Sequence, residues 1–141
     1  MNVSNRLIQK IKEFEGCKLT AYKCPAGVWT IGVGHTKGVK QGQVITMAQA
    51  ESLLKNDLRT FERLVSVQYP SANQNQFDAL VDLAFNCGNG AVLGNLRTLI
   101  KKGSPKDTIQ KWWQTHYITA GGVKMNGLVK RRKWESEVYF E

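Results

Sequence analysis

Residues 15–36 read EGCKLTAYKCPAGVWTIGVGHT, and this stretch decides the fold that we expect for the chain. Short apolar runs alternate here with glycine and proline, which is typical of short strands separated by turns. We therefore predict a small antiparallel sheet of three short strands between residues 16 and 45. Such a sheet buries little surface alone, so it is expected to pack on neighbouring helices and to form a cleft beside them.

The residues before this stretch predict a helix that ends at Glu15. Ser4 is placed to cap its start, and Gly16 is placed to end it. Its apolar positions recur at helical spacing, namely Leu7, Ile8, Ile11 and Phe14. Glu15 is therefore expected at a helix end, beside the cleft.

Helical patterns dominate after residue 45. Thr46-Met-Ala-Gln matches a capping box and begins a long helix. Three further helices are predicted. An apolar stripe that ends between Asn86 and Gly90 indicates the first, and the second begins at Ser104-Pro105, with proline at the first helical position. The third begins at about Gly127, after a Gly121-Gly122 loop. The chain is thus expected to be α+β and mainly helical.

The length of 141 residues fits a single domain with two lobes. We expect a sheet lobe of about residues 16–45, a long helix of about residues 46–68, and a helical lobe of about residues 70–141 that includes the N-terminal helix. No apolar window approaches the roughly 20 residues of a membrane span, and no secretory signal is recognised, so stable membrane insertion is not expected.

Composition restricts the partners. Twenty Lys and Arg against eleven Asp and Glu give a net charge of +9, which favours an anionic partner such as nucleic acid, anionic lipid or bacterial wall. Three cysteines and two histidines do not form a convincing zinc pattern. No metal or cofactor is expected.

Three positions in the opening stretch carry a possible chemistry. Glycoside cleavage needs a carboxylic acid that is kept protonated to protonate the leaving oxygen, and Glu15 beside a partly apolar cleft suits that task. The stretch resembles the active-site region of phage-type lysozymes, glycoside hydrolase family 24, whose pattern is a Glu, then an Asp or sometimes a Cys nine residues later, then a Thr six further on. Here these positions are Glu15, Cys24 and Thr30.

The resemblance continues through Ile45-Thr46 to Asp57, through Ala84-Phe-Asn-Cys-Gly and through Gly127-Leu-Val-Lys-Arg-Arg, so it spans nearly the whole chain. It implies a lysozyme-like fold, in which a long helix joins a sheet lobe to a helical lobe. It also implies hydrolysis of the β-1,4 bond between N-acetylmuramic acid and N-acetylglucosamine in peptidoglycan, with Glu15 as general acid. Inversion at the sugar carbon follows if water attacks directly.

The resemblance also implies roles outside the opening motif. Candidates for contact with the glycan are Thr36, Phe85, Asn86 and Asn95. Arg131 is a further substrate-binding candidate and is expected to approach Glu15. From the residues alone, Arg131 and Arg132 could bind polyanions or could equally form a solvated basic face. We further predict that His35 pairs with Asp57 on the long helix. Trp112, Trp113 and Trp134 fit the core better than a sugar-binding surface.

Cys24 is the main departure from the commoner pattern. A thiol is largely neutral at pH 7 unless its surroundings favour the thiolate, whereas an aspartate would be ionised. As a thiolate, Cys24 could act as a base or stabilise charge; an inert cysteine is the alternative. Free thiols are the simplest expectation, and a Cys17–Cys24 disulfide that holds the enzyme inactive is a second hypothesis.

Three other functions remain open at this stage. A lytic transglycosylase would use Glu15 alone and form an anhydro sugar. An envelope binder without catalysis would act through its basic helices, and a nucleic-acid-binding module is supported only by the charge. The lysozyme interpretation implies a monomer that stays in the host cytoplasm until a holin-like partner opens the membrane, with no nucleic-acid partner.

Overall fold

The computed structural model describes all 141 residues, from Met1 to Glu141. Its elements, in chain order, are α1 (Asn5–Glu15), β1 (Lys18–Lys23), β2 (Trp29–Gly32), α2 (Met47–Gln68), α3 (Gln74–Cys87), α4 (Gly90–Leu93), α5 (Asn95–Lys101), α6 (Lys106–Thr115), β3 (Thr119–Ala120), β4 (Val123–Lys124) and α7 (Asn126–Tyr139). The fold is mainly helical with a small antiparallel sheet, which confirms the predicted fold class. No helix is both long and apolar enough to cross a membrane.

The ends of α1 lie where the sequence places them. The Leu7 N–H donates to Ser4 Oγ at 3.2 Å, which caps the first turn. Gly16 closes the helix with a φ of 74°, and its N–H donates to the carbonyl of Lys12 at 2.9 Å. A residue without a Cβ adopts this positive φ at little cost, so the chain turns into β1 immediately after Glu15.

The sheet has two strands, so the prediction of three is wrong. β1 and β2 are antiparallel, with Tyr22 opposite Thr30. The region expected to form the third strand makes two isolated bridges, between Thr20 and Val44 and between Ile31 and His35. Gly38 and Gly42 both have positive φ there, and these turns interrupt the extended backbone that a third strand would need.

The sheet and the start of α2 share a small core. Its buried members are Ile31, Ile45 and Ala50, and Leu19 of β1 packs against it. The predicted capping box of α2 is present: Gln49 N–H donates to Thr46 Oγ1 at 3.1 Å, and Thr46 N–H donates to Gln49 Oε1 at 2.8 Å. The core therefore fixes β1 and β2 against the first turns of α2.

The chain divides into two compact units. One comprises Ser4–Thr60, and the other comprises Met1–Val3 with Phe61–Glu141. Helix α1 groups with the strands in this division, whereas the sequence grouped it with the later helices. The boundary falls within α2.

The second unit is organised around α3, which buries every side chain from Phe77 to Ala84. Asn73 caps α3 through a capping box with Gln76. Pro105 precedes α6 instead of occupying its first position, which corrects the prediction. The short elements α4, α5, β3 and β4 were not predicted, because elements of two to seven residues carry little periodicity.

Candidate active site

Glu15 is the last residue of α1, one residue before the turn at Gly16. The residue is exposed, whereas the sequence predicted a partly enclosed position. Its place at the helix end is set by the apolar face of α1, which buries Leu7, Ile8 and Ile11 in the same unit. The backbone that carries Glu15 is thus anchored while its carboxyl group stays accessible.

The turn between β1 and β2 brings Cys24 and Thr30 together. The Cys24 N–H donates to the carbonyl of Val28 at 3.0 Å, and Thr30 Oγ1 donates to the same oxygen at 3.0 Å. Gly27 N–H donates back to the carbonyl of Cys24 at 2.8 Å, which tightens the turn. One backbone oxygen therefore sets the positions of both residues. Sequence reasoning missed this carbonyl, because a backbone group leaves no mark in the sequence.

The same turn favours the thiolate of Cys24. Hydrogen bonding from the backbone N–H of Val28 is the largest influence and lowers the pKa of the Cys24 thiol; burial opposes it, and the backbone at Ala26 adds to the lowering. The Thr30 hydroxyl also lies close enough to contribute. Because that hydroxyl has a single hydrogen, it bonds either the sulfur or the Val28 carbonyl at one time.

His35 and Asp57 make the contact expected from the sequence. Nδ1 of His35 lies 2.8 Å from Oδ2 of Asp57, and its Nε2 lies 2.9 Å from the carbonyl of Lys37. Both ring nitrogens thus face acceptors, and only the imidazolium, with a hydrogen on each nitrogen, donates to both. The pair connects the segment after β2 with α2. Thr36, the next residue, is exposed.

The second unit holds the remaining predicted residues. Phe85 and Asn86 lie in the last turn of α3, and Asn95 is the exposed first residue of α5. The Phe85 ring meets Phe61 edge to face, with centroids 5.8 Å apart. Oδ1 of Asn86 accepts a hydrogen bond from Nη2 of Arg132 at 2.7 Å.

The alternative of a solvated basic face is wrong for Arg131 and Arg132, because both side chains are buried. Arg131 donates to both carboxylate oxygens of Asp82 on α3, at 3.0 and 2.8 Å. Arg132 donates to both oxygens of Glu135, at 2.8 and 2.9 Å, and also contacts Cys87. These contacts fix α7 against α3.

The buried arginines bind two buried carboxyl groups, those of Asp82 and Glu135, and sequence reasoning missed both. Burial, followed by the negative charge of Asp82, raises the pKa of Glu135 well above its usual range. Burial acts in the same sense on Asp82, but hydrogen bonds from the Glu135 and Arg131 side chains outweigh it and lower the pKa of Asp82. For Asp82 the available signal was a charged residue inside the apolar stripe of α3, because a buried charge needs a partner.

The other candidates have simpler environments. Trp113 is fully buried and donates to Glu135 Oε1 at 2.9 Å, as expected for a core residue. Trp112 stacks on His116 with centroids 4.4 Å apart. Cys17, Cys24 and Cys87 are free thiols in this structure, and Sγ of Cys17 lies 3.8 Å from Sδ of Met47. No cluster of His, Cys, Asp and Glu could hold a metal ion.

Comparison with known proteins gives this geometry its context. The phage lysozyme family profile matches residues 12–135, which include Glu15, Cys24 and Thr30. The chain belongs to the phage lysozyme family. As a phage lysozyme it is a glycoside hydrolase that acts on bacterial peptidoglycan.

Individual phage lysozymes and endolysins agree with this assignment. An endolysin from Acyrthosiphon pisum secondary endosymbiont phage 1 is 36% identical over 146 residues, covering 99% of this chain and 98% of that protein. The endolysin of Lactococcus phage c2 is 41% identical over 143 residues, but the chain spans only 60% of its length. A relative from Haemophilus phage HP1, 36% identical, is named a SAR-endolysin. The solved endolysin of Escherichia coli O157:H7 phage FAHEc1 superposes with a TM-score of 0.88 at 33% identity, covering 100% of this chain and 94% of that one.

Proposed function

We propose that this phage lysozyme is an endolysin muramidase that cleaves the β-1,4 bond between N-acetylmuramic acid and N-acetylglucosamine and so causes host lysis. Glu15 is the general acid. The observation that carries the proposal is the order Glu15, Cys24, Thr30 within the matched family region, with Cys24 and Thr30 held by one carbonyl oxygen.

The proposed reaction transfers two protons. Glu15 gives its proton to the glycosidic oxygen as the bond from that oxygen to the anomeric carbon breaks. A water oxygen forms a new bond to the same carbon from the opposite face, and a proton of that water goes to the Cys24 thiolate. Attack by water on the opposite face inverts the configuration at that carbon.

The lowered pKa of the Cys24 thiol supports its assignment as the base. A thiolate accepts a proton from water, whereas a neutral thiol does not, and the backbone N–H of Val28 favours the thiolate. Thr30 would orient the attacking water through its hydroxyl oxygen while its hydrogen stays on the Val28 carbonyl at 3.0 Å. The hairpin turn thus supplies both a base and an acceptor for the water.

The proposal assigns glycan contacts to exposed or half-buried side chains. Thr36 and Asn95 are exposed and offer hydrogen bonds to sugar hydroxyls. Phe85 offers a ring edge or face, and the amide nitrogen of Asn86 remains a donor, since its oxygen is bound by Arg132. Arg131 is buried on Asp82, so we assign it to support of the α3–α7 packing instead of direct sugar contact.

The enzyme must also cross the host membrane to reach the wall. By analogy with phage endolysins, a holin-like partner would open the membrane for a monomeric enzyme held in the host cytoplasm. The SAR-endolysin relative suggests the alternative of holin-independent export. Expression in a bacterial host with and without a co-expressed holin separates the two: lysis only with the holin supports the first route.

The deciding experiment is mass spectrometry of the soluble fragments released from purified peptidoglycan. Wild-type protein should release fragments with reducing muramic acid ends, and Glu15→Gln, which has the same size but no acidic proton, should release none. Glu13→Gln is the matched control on the same helix and should retain activity. Anhydro ends would replace the proposal with a transglycosylase, and no fragments from the reduced wild type would leave an envelope binder.

A further inference from the structure

Four basic residues surround the turn between α5 and α6. We name Arg97, Lys101, Lys102 and Lys106 the basic turn. Its backbone is fixed, because Gly103 N–H donates to the carbonyl of Ile100 and Ser104 N–H donates to the carbonyl of Leu99, each at 3.0 Å. The lysines of the basic turn are therefore presented from an ordered backbone.

Two of the four side chains of the basic turn lie over aromatic rings. The Lys101 ammonium lies 5.9 Å from the ring centroid of Tyr69, and the Lys106 ammonium lies 5.6 Å from that of Phe140. Tyr139 contacts the Phe140 ring at 4.9 Å. Such contacts restrict a flexible lysine while its charge stays in water.

The charges of the basic turn are not neutralised within the chain. None of its three lysines forms an ion pair, in contrast to the buried pair of Arg131 with Asp82. Nε of Arg97 is buried without a hydrogen-bond partner. Asp107 is the one carboxylate in the adjoining first turn of α6. This surface therefore has a local positive charge that ion pairs of its lysines do not neutralise.

Lys106 makes the strongest case that the basic turn serves an external partner. It is the first residue of α6, where the helix dipole presents partial positive charge and disfavours a cation. Lys101, at the end of α5, suits its own helix dipole, so it could serve stability alone. A cation that opposes its helix needs another reason, and binding is the reason that the exposed charge offers.

We propose that the basic turn is a second binding surface for the substrate polymer and takes the free carboxylates of the peptides attached to peptidoglycan strands. The inference rests on the proposed function, which brings the protein to this polymer. A peptidoglycan strand repeats its carboxylates along its length, so several weak contacts act together and hold the enzyme on the wall between cleavages. In this proposal the active site cleaves the glycan, and the basic turn only binds the attached peptides.

The test measures binding of Glu15→Gln protein to insoluble peptidoglycan stripped of phosphate polymers. Lys101→Glu, Lys102→Glu and Lys106→Glu are combined in one variant, and Lys40→Glu, Lys124→Glu and Lys130→Glu form the control with the same change in net charge. The turn variant should bind about tenfold or more weakly. The control should stay within about twofold of the parent. Equal loss in both variants would overturn the proposal, because it would show an effect of net charge alone.

Two further arms identify the ligand. Amidation of the peptidoglycan carboxylates should reduce binding of the parent to the level of the turn variant. If the turn variant binds peptidoglycan as the parent does and loses only its binding to anionic phospholipid vesicles, the surface is a membrane site and the proposal is wrong. Thermal melting shows whether each variant is folded, and Lys106→Glu alone should raise Tm. If the charge-reversal variants do not fold, Lys→Gln changes at the same positions replace them.

Catalysis is measured separately with wild-type Glu15. On a short glycan without peptides, the turn variant should cleave at the parental rate, which shows that binding and not chemistry was lost. A slower rate on this substrate would contradict the proposal. If the parent itself releases no reducing ends, the proposed function fails, whatever the binding results.

Discussion

His35 and Asp57 are joined by a 2.8 Å contact between Nδ1 and Oδ2, and the other ring nitrogen of His35 lies 2.9 Å from a backbone carbonyl. The His35 side chain is 11% exposed and that of Asp57 is 29% exposed. A histidine–carboxylate hydrogen bond with this much shielding should contribute more than an open surface contact. It fixes the chain after β2 to the middle of α2.

Replacing either member of this pair should lower stability. We expect a coupling free energy of about 1–2 kcal/mol in a double-mutant cycle of His35→Asn and Asp57→Asn, because the charged hydrogen bond exists only when both are present. Urea unfolding of the wild type, the two single variants and the double variant at one pH gives the measurement. Additive effects of the two substitutions would show that the contact contributes nothing.

Cys24 should control the acid side of the pH–rate profile. Activity requires the thiolate in the proposed mechanism, so it should fall as the pH drops through the lowered pKa of Cys24. Cys24→Asp should stay active and extend this limb to lower pH, since an aspartate ionises near pH 4. Cys24→Ser should lose roughly 10²-fold in kcat.

Alkylation provides an independent measure of that thiolate. In a Cys17→Ala and Cys87→Ala background, the rate of iodoacetamide modification against pH reports the pKa of Cys24 directly. An inflection no lower than that of an ordinary cysteine, together with full activity of Cys24→Ser, would exclude Cys24 as the base.

Thr30 should be needed for its hydroxyl and not for its volume. Thr30→Val keeps the shape but removes the donor to the Val28 carbonyl, so we expect a loss of about 1 kcal/mol in stability and of roughly 10²-fold in kcat. Thr30→Ser keeps the hydroxyl and should retain most of the activity. Equal rates for the valine and serine variants would refute a role in positioning water.

The buried carboxyls of the second unit should differ in how much stability a neutral replacement costs, because the pKa of Asp82 is lowered and that of Glu135 is raised. Asp82→Asn replaces the carboxylate that accepts two hydrogen bonds from the buried Arg131, and it should cost roughly 3–5 kcal/mol. Glu135→Gln imitates the protonated acid, so it should cost much less.

The pH dependence of stability tests the same pair. Because the pKa of Glu135 is raised, its protonated form contributes stability that is fully present below the ordinary glutamate pKa near 4.3. This contribution to the free energy of unfolding is lost as the pH rises through the raised pKa. Glu135→Gln cannot lose that proton. Its stability relative to wild type should therefore improve between pH 4.5 and pH 8 in urea titrations; a constant difference would contradict the raised pKa.

The sequence predicted the features that depend on neighbouring residues. Ser4 and the Thr46–Gln49 box act within one helical turn, so their pattern is local and visible. The partners of the buried arginines were not predictable in this way, because Asp82 is 49 residues from Arg131. Only the packing of α3 on α7 brings them together.

The candidate active-site residues also combine features that the sequence predicted with features that it could not predict. The spacing of Glu15, Cys24 and Thr30 followed from a motif, and its chemistry followed from the resemblance. The state of the Cys24 sulfur did not, because it depends on backbone N–H groups whose direction is set by the turn at Val28. The prediction of a third strand was wrong for a related reason. Gly38 and Gly42 indicated turns, but the sequence did not show how completely these turns interrupt strand pairing.

The division of the chain has a consequence for the order of folding during synthesis. Residues 1–3 belong with residues 61–141: Val3 N–H donates to Glu62 Oε2 at 2.7 Å, and Gln74 Nε2 donates to the carbonyl of Asn2 at 3.0 Å. Residues 4–60 are translated before residues 61–141 and contain all of their own unit, so they can fold while the later residues are being made. Residues 1–3 must wait for segments translated much later, so the unit that contains them is completed after the unit of residues 4–60.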